Sequence, residues 1–164
     1  GDRAEDRLIP DCIKSIEQNK TVEIRNPNSI RPWMYVLEPL CGYLRLGELM
    51  IKNPSENYDC FNFGPSNVSV KTVLDVARKV IESYGKGNII VKPSCDNMHE
   101  AGLLCLNSEK ALKKLGWHSI SDVDESIYYT TKWYKEELNR IDMYDFTKEQ
   151  IQDYMQKASK ILKF

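Results

Sequence analysis

Ile24-Arg-Asn-Pro-Asn-Ser-Ile-Arg-Pro-Trp-Met-Tyr-Val-Leu-Glu-Pro39 is the stretch on which the fold turns. On its amino side Val22 and Ile24 alternate with polar neighbours from Thr21 to Arg25, the period of a half-buried strand. Asn26-Pro-Asn-Ser29 reads as a turn, and Ile30 to Val36, with two aromatics, as a second short strand around it. On the carboxyl side Leu37, Leu40, Cys41, Leu44 and Leu49 build a helix. Pro39 is tolerated there because it falls in the first turn, where its missing amide has no helical partner.

Outward from this stretch, Leu8, Ile9, Cys12, Ile13 and Ile16 predict a helix from about Arg7 to Asn19. Asp59 to Phe63 reads as a brief strand, closed by the loop Gly64-Pro-Ser-Asn67. Val70, Val73, Leu74, Ala77, Val80 and Ile81 form one apolar stripe that stops at Gly85-Lys-Gly87, and Asn88 to Lys92 is the next strand. Residues 93–103 read as a loop, and Asn107 or Ser108 can cap a short helix ending at Leu115. Ser121 to Asp124 resembles a capping box opening a helix to about Leu138. Thr147 and Gln150 stand at the same spacing before a last helix, with Ile151, Tyr154, Met155, Ala158 and Leu162 on one face. The expected class is α/β, or α+β-like, with short strands and more helix than sheet.

A chain of 164 residues has room for one compact domain. Its 23 Lys and Arg nearly cancel 24 Asp and Glu, with no block of five like charges, so neither nucleic acid nor a membrane surface is an expected partner. The partner expected is small. No apolar run approaches the roughly 18–20 residues of a spanning helix, and Gly1 to Arg7 is too charged for a secretory signal, so a cytoplasmic location is expected. Five cysteines, at 12, 41, 60, 95 and 105, are odd in number and lack a CxxC pair, which predicts reduced, buried thiols and no metal.

Neither GxGxxG nor GxxxxGK[ST] is present: Gly42 and Gly47 lie inside a helical pattern, and Gly85 and Gly87 follow a helix instead of opening one. There is no GxSxG elbow or HExxH pair, and His99 and His118 are too far apart for a local metal clip. Tyr128-Tyr-Thr-Thr-Lys132 has the YxxxK spacing of short-chain dehydrogenases. That spacing is one helical turn, however, and no nicotinamide-binding βαβ unit precedes it, so it reads as a packed Tyr128 and a solvated Lys132.

Three segments, in this order and spacing, carry a more specific signal: Gly1-Asp-Arg-Ala-Glu-Asp-Arg-Leu-Ile-Pro-Asp11, Ile24 to Pro39, and His99-Glu-Ala101 with Lys110-Ala-Leu-Lys-Lys-Leu-Gly-Trp117. Together with Asn62-Phe-Gly-Pro-Ser66 they closely resemble the CDP-glucose 4,6-dehydratase family, extended short-chain dehydrogenase/reductases of deoxysugar synthesis such as supplies lipopolysaccharide O-antigens. The resemblance runs over about residues 1–136 and covers the carboxyl half of the family. It implies a sugar-nucleotide-binding domain over 1–139 and a C-terminal helical extension over 140–164. The Rossmann half, with the NAD turn and the catalytic groups, is missing, so no catalytic residue is expected here. The implied activity of the intact enzyme is that of a lyase. It oxidises C4 of the hexose with NAD+, eliminates water across C5 and C6, and returns the hydride to C6 to give CDP-4-keto-6-deoxyglucose. A homo-oligomer is implied for that intact enzyme.

The resemblance also assigns binding residues. Arg31 would grip the pyrophosphate, for which a guanidinium offers a planar fork of donors; read alone, an Arg before Pro-Trp is equally a surface ion-pair partner. Asn62 would reach the same phosphates, or serve only as a turn former. Arg7, Leu8 and Pro10 would pass the base and ribose across a Leu-Ile-Pro corner, and Ile24, Arg25 and Asn26 would line the base pocket, the alternatives being a plain helix start and a half-buried strand. His99 and Glu100 would meet ribose or phosphate, or stay solvated. Trp33 and Trp117 read as packing residues. The sequence departs from the family at Arg3, where Trp is usual, at Met34-Tyr35, where Gln-His is common and which resemble the Leu-Tyr of dTDP-glucose dehydratases, and at Asn107, where Asp is the usual cap.

Overall fold

The computed structural model describes residues 1–55, 59–66, 70–92, 101–139 and 142–162. Among the described residues, six helices and two strands follow in the order α1 (Leu8–Glu17), β1 (Val22–Ile24), α2 (Leu37–Lys52), α3 (Val73–Tyr84), β2 (Ile89–Val91), α4 (Glu109–Leu115), α5 (Val123–Glu137) and α6 (Tyr144–Ile161). The expected helix-rich class with short strands is the one observed.

The helical stripes decide the core. Cys12, Ile13 and Ile16 of α1, Val76, Ala77 and Val80 of α3, and Val123, Ile127 and Tyr134 of α5 close around Val22 and Ile24 of β1 in one buried cluster. Trp33 packs on its edge. A smaller cluster joins Phe63 to Ala111, Leu115 and the fully buried Trp117 beneath α2. Leu40 and Leu44, expected in the apolar stripe of α2, stay exposed on its outer face with Tyr43, Met50 and Ile51.

The strands expected over 21–25 and 88–92 are both present, as β1 and β2, but the pairing departs from expectation. β1 pairs in parallel with β2, Val22 opposite Ile89 and Ile24 opposite Val91, and α2 and α3 lie in the crossover that a parallel pair requires. Ile30 to Val36 is no hairpin partner: Ile30 alone bridges, to Thr72 and to Leu103. Pro27 and Pro32 explain the difference, since each removes a ladder donor and confines its predecessor. Residues 59–63 form no strand either, because the Cys60 amide is spent on Asp59 Oδ1 at 2.7 Å and the Gly64 amide on Ser108 Oγ at 2.7 Å.

Helix starts and stops follow local chemistry. Thr72 and Asp75 close a reciprocal capping box on α3, and Gly85, at φ 90°, stops it in the left-handed geometry that costs glycine nothing. Val70, expected to open this stripe, lies outside the helix and exposed. Asn107 Oδ1 accepts from the Glu109 amide at 2.8 Å at the start of α4, and Asp122 Oδ1 from the Glu125 amide at 2.8 Å at α5, so in place of the box expected at Ser121 a single cap sits one residue later. Thr147 does not cap α6. The helix already begins at Tyr144, whose amide bonds Asp142 Oδ1, and Thr147 Oγ1 instead accepts from Trp133 Nε1 at 2.9 Å. Its buried face is Phe146, Gln150, Tyr154 and, just beyond it, Leu162, while Ile151 and Met155 face out.

Cys12, Cys41, Cys60 and Cys105 are free thiols, but only Cys12 is fully buried, with burial pushing its thiol up to about 12; Cys60 and Cys105 are exposed, correcting that expectation. Cys95 lies outside the described residues. Tyr128 is exposed rather than packed, and Lys132 lies over the Phe146 ring at 5.6 Å.

Two substitutions test this packing. Thr72→Ala removes one side of the α3 cap and is expected to cost about 1 kcal/mol in urea unfolding. The Thr72 hydroxyl holds the Asp75 carboxyl below its ordinary pKa, so this part of the stability is present at neutral pH and is lost as pH falls through the lowered value; the variant should lack that acid limb. Gly64→Ala places a Cβ 2.6 Å from Leu106 Cβ and should cost about 1–3 kcal/mol by overpacking, read as a lowered melting temperature.

Candidate functional site

Arg31 is placed by the residue before it. The Ile30 amide donates to Gly102 O at 2.8 Å, its carbonyl accepts from the Leu104 amide at 3.1 Å, and Ser29 O accepts from the Val73 amide at 2.8 Å. The chain is thereby stitched between the start of α3 and the segment entering α4. Pro32 then sits at the centre of a tight turn in which the Trp33 amide donates back to Arg31 O at 2.9 Å, the γ-turn that a fixed proline φ favours. Trp33 Nε1 donates to Lys71 O at 3.2 Å.

The Arg31 side chain is half-buried, and its Nη1 donates to two backbone carbonyls, Ile30 O and Ala101 O, both at 2.8 Å. These bonds aim the guanidinium along the wall of a narrow cleft of about 20 Å³, lined by Arg31, Pro32, Pro65, Ser66, Cys105 and Leu106 among others. Three of the motif segments meet here: Ile30-Arg31-Pro32, the end of Asn62-Phe-Gly-Pro-Ser66, and Ala101, the last residue of His-Glu-Ala. Asn62 is exposed, and Phe63 next to it is wedged edge-on between Tyr43 and Trp117 at 5.3 and 4.9 Å. His99 and Glu100 lie outside the described residues.

The other candidates gather elsewhere or face inward. Arg25 is exposed and pairs with Asp6 at 3.6 Å, beside Arg7, whose carbonyl receives the Asp11 amide as α1 opens. Leu8 and Pro10 are half-buried, Leu8 packing on the main core. Ile24 is 3% exposed, so its side chain belongs to the core and only its backbone faces a neighbour, the Lys92 amide on Ile24 O at 2.9 Å. Asn26 is exposed and its carbonyl accepts from the Ser29 amide at 3.3 Å.

A larger open groove of about 400 Å³ runs between α3 and β2, lined by Leu74, Arg78, Ile81 and Ile89 among others, and holds none of the candidates. Size does not make it the site. The small cleft has room for about one water, but at its wall stands a cation whose orientation two backbone carbonyls fix, a donor group that an anion can meet.

The motifs contain Ala101 and Ser66, but nothing in their residue type tells that Ala101 O receives the guanidinium or that Ser66 lines the cleft, and the spacing that makes Gln150 a cap candidate gives no sign of its bond to the Tyr35 hydroxyl. Burial pushes the Tyr35 hydroxyl up to about 12 and raises the Cys41 thiol and the Tyr154 hydroxyl, the latter also because it stands beside Glu38. All three are uncharged at neutral pH.

Among the described residues no three side chains gather to hold a metal, and no helix is long and apolar enough to cross a membrane. A dinucleotide coenzyme would need a glycine-rich turn from strand into helix. β1 runs into α2 through residues 25–36, which contain no glycine, so these residues do not fit that group.

No protein-family model matches the chain. It is 39% identical over 155 residues to CDP-glucose 4,6-dehydratase of Salmonella typhimurium, a match covering 94% of this chain and 43% of that enzyme. Among solved structures it superposes on UDP-glucose-4-epimerase of Stenotrophomonas maltophila, with bound NAD and formylated UDP-arabinopyranose, at TM-score 0.71 and 14% identity, over 85% of this chain and 42% of that one. The dTDP-glucose 4,6-dehydratase of Bacillus anthracis, in complex with NAD, matches at TM-score 0.64 and 18% identity, over 80% and 39%. The chain spans under half the length of the relatives it matches. It is a homologue of CDP-glucose 4,6-dehydratase over nearly its whole length, with the fold of the matching part of the extended short-chain dehydrogenase/reductases.

Proposed function

We propose that this chain is the sugar-nucleotide-binding part of a CDP-glucose 4,6-dehydratase, holding CDP-glucose for conversion to CDP-4-keto-6-deoxyglucose with loss of water. The observation that carries the reading is the convergence of three motif segments on a guanidinium fixed by Ile30 O and Ala101 O. The 39% identity to the Salmonella enzyme supports the substrate class.

On this reading Arg31 neutralises the diphosphate and Asn62 donates to the same group. Arg7, Leu8 and Pro10 pass the base and ribose, Ile24, Arg25 and Asn26 contribute the strand beside them, and His99 and Glu100 complete the ribose or phosphate contacts. Residues 1–139 form the binding domain and 140–164 an extension. NAD supplies the hydride acceptor and donor of such an enzyme, held by segments other than these. What this chain contributes is orientation: a diphosphate fixed at one end places the hexose against the reacting groups and converts lost freedom into rate. The exposed outer face of α2, with Leu40, Leu44 and Ile51, is where the coenzyme-binding half would pack. The intact enzyme would be a cytoplasmic homo-oligomer.

Calorimetric titration with CDP, UDP and dTDP is the direct test. Binding with a cytidine preference is expected, and Arg31→Ala should weaken it by about 10- to 150-fold, the value of one hydrogen bond to a charged group. Equal affinity of the Ala variant would remove Arg31 from the site. The chain alone is expected to show no NAD-dependent dehydration of CDP-glucose; turnover would place catalytic groups within it.

A further inference from the structure

We propose that α6 braces the cleft arginine, with Gln150 and Tyr154 as positioning residues, through the meeting of the Gln150 amide with the Tyr35 hydroxyl and of the Tyr154 hydroxyl with Glu38. The inference rests on the reading of Arg31 as the residue that grips the diphosphate.

Residues 31–36 lie in no helix or strand, so outside fastenings hold them. Ile30 is fixed from one side by Gly102 and Leu104, and Trp33 by Lys71 O. The third fastening comes from α6. Gln150, 7% exposed, accepts from the Tyr35 hydroxyl on Oε1 at 3.3 Å and donates from Nε2 to Tyr129 O at 3.0 Å, while the Tyr129 ring stacks on Tyr35 at 5.5 Å. One turn on, Tyr154 donates to Glu38 Oε2 at 3.0 Å and meets the Tyr35 ring edge-on at 6.3 Å. The two α6 side chains therefore close on the corner where the arginine segment enters α2.

Chemistry argues that this contact sets geometry and not stability alone. An apolar residue at position 150 would bury as well without desolvating an amide. A buried amide is tolerated because both its ends are bonded, and such bonds hold only in one register of helix against segment. A diphosphate read by a planar fork is sensitive to displacements of about 1 Å, so a segment free to shift at Tyr35 would present Arg31 less well.

Amide hydrogen exchange and CDP titration on the full chain test the brace. Gln150→Leu keeps the volume, and Tyr35→Phe keeps the ring while removing the hydroxyl. Phe146→Leu, one turn before Gln150 on the same buried face of α6 but without a polar group to bond Tyr35 or Glu38, is the control for lost packing. Both brace variants should raise exchange at residues 31 and 33–36 by about tenfold, with α1 and α3 amides unchanged, and weaken CDP binding severalfold. Phe146→Leu should lower the melting temperature and leave CDP affinity intact. Unchanged exchange at 31–36 in both brace variants overturns the inference, as does an equal loss of CDP affinity in the Phe146 control. Should the unaltered chain bind none of the three nucleotides, the reading of Arg31 fails while the exchange data still decide the brace.

Discussion

One fully buried carboxyl group ties this molecule together. Glu38, in the first turn of α2, accepts from the Ile120 amide at 3.1 Å, the Ser121 amide at 2.8 Å and the Tyr154 hydroxyl at 3.0 Å, while its backbone carbonyl receives Trp117 Nε1 at 3.2 Å. Burying such a group costs several kcal/mol unless donors replace the water it loses. Here they come from the loop after α4 and from α6, while the indole of the smaller core cluster holds the backbone of the same residue. None of these elements can move away from α2 without leaving a buried acceptor exposed to nothing, so the carboxyl fixes their mutual register where apolar contact alone would let them slide.

The helices were legible because each carries its own period: the stripes of α1 and α3, and the stop at Gly85, need no partner to be recognised. The strand pairing was not, because pairing is non-local. Val22 to Ile24 shows a strand period but not that its partner is Ile89 to Val91 on the far side of two helices. A proline turn directly after it suggested a hairpin that Pro32 cannot support. Thr147 and Gln150 matched a cap by spacing, yet the helix had begun a turn earlier, and both side chains serve tertiary contacts that spacing does not encode.

The candidate site was legible in part for a similar reason. Arg31 announces itself as a donor fork beside a Pro-Trp pair, and Asn62-Phe-Gly-Pro-Ser66 as a turn that comes near it. What aims the arginine is a carbonyl, Ala101 O, and every residue has one. Ile24 shows how burial limits what a motif residue can present. It lies in the motif, but a strand alternates its side chains, and position 24 shares the inward face with Val22, so the core takes it.

The cleft itself lies where the two core clusters meet. Its Ile30 wall is bonded to the start of α3, which belongs to the larger cluster, and its Pro65 and Leu106 wall runs beside Phe63 and Ala111 of the smaller one. The larger cluster draws on three helices and a strand, the smaller on a short helix, an irregular segment and one indole. Opening motions should therefore begin on the smaller side, where fewer buried contacts resist them. The width of the cleft then depends on whatever joins the two sides, and the groups that do so are polar and specific: Glu38 with its three donors and Arg31 on Ala101.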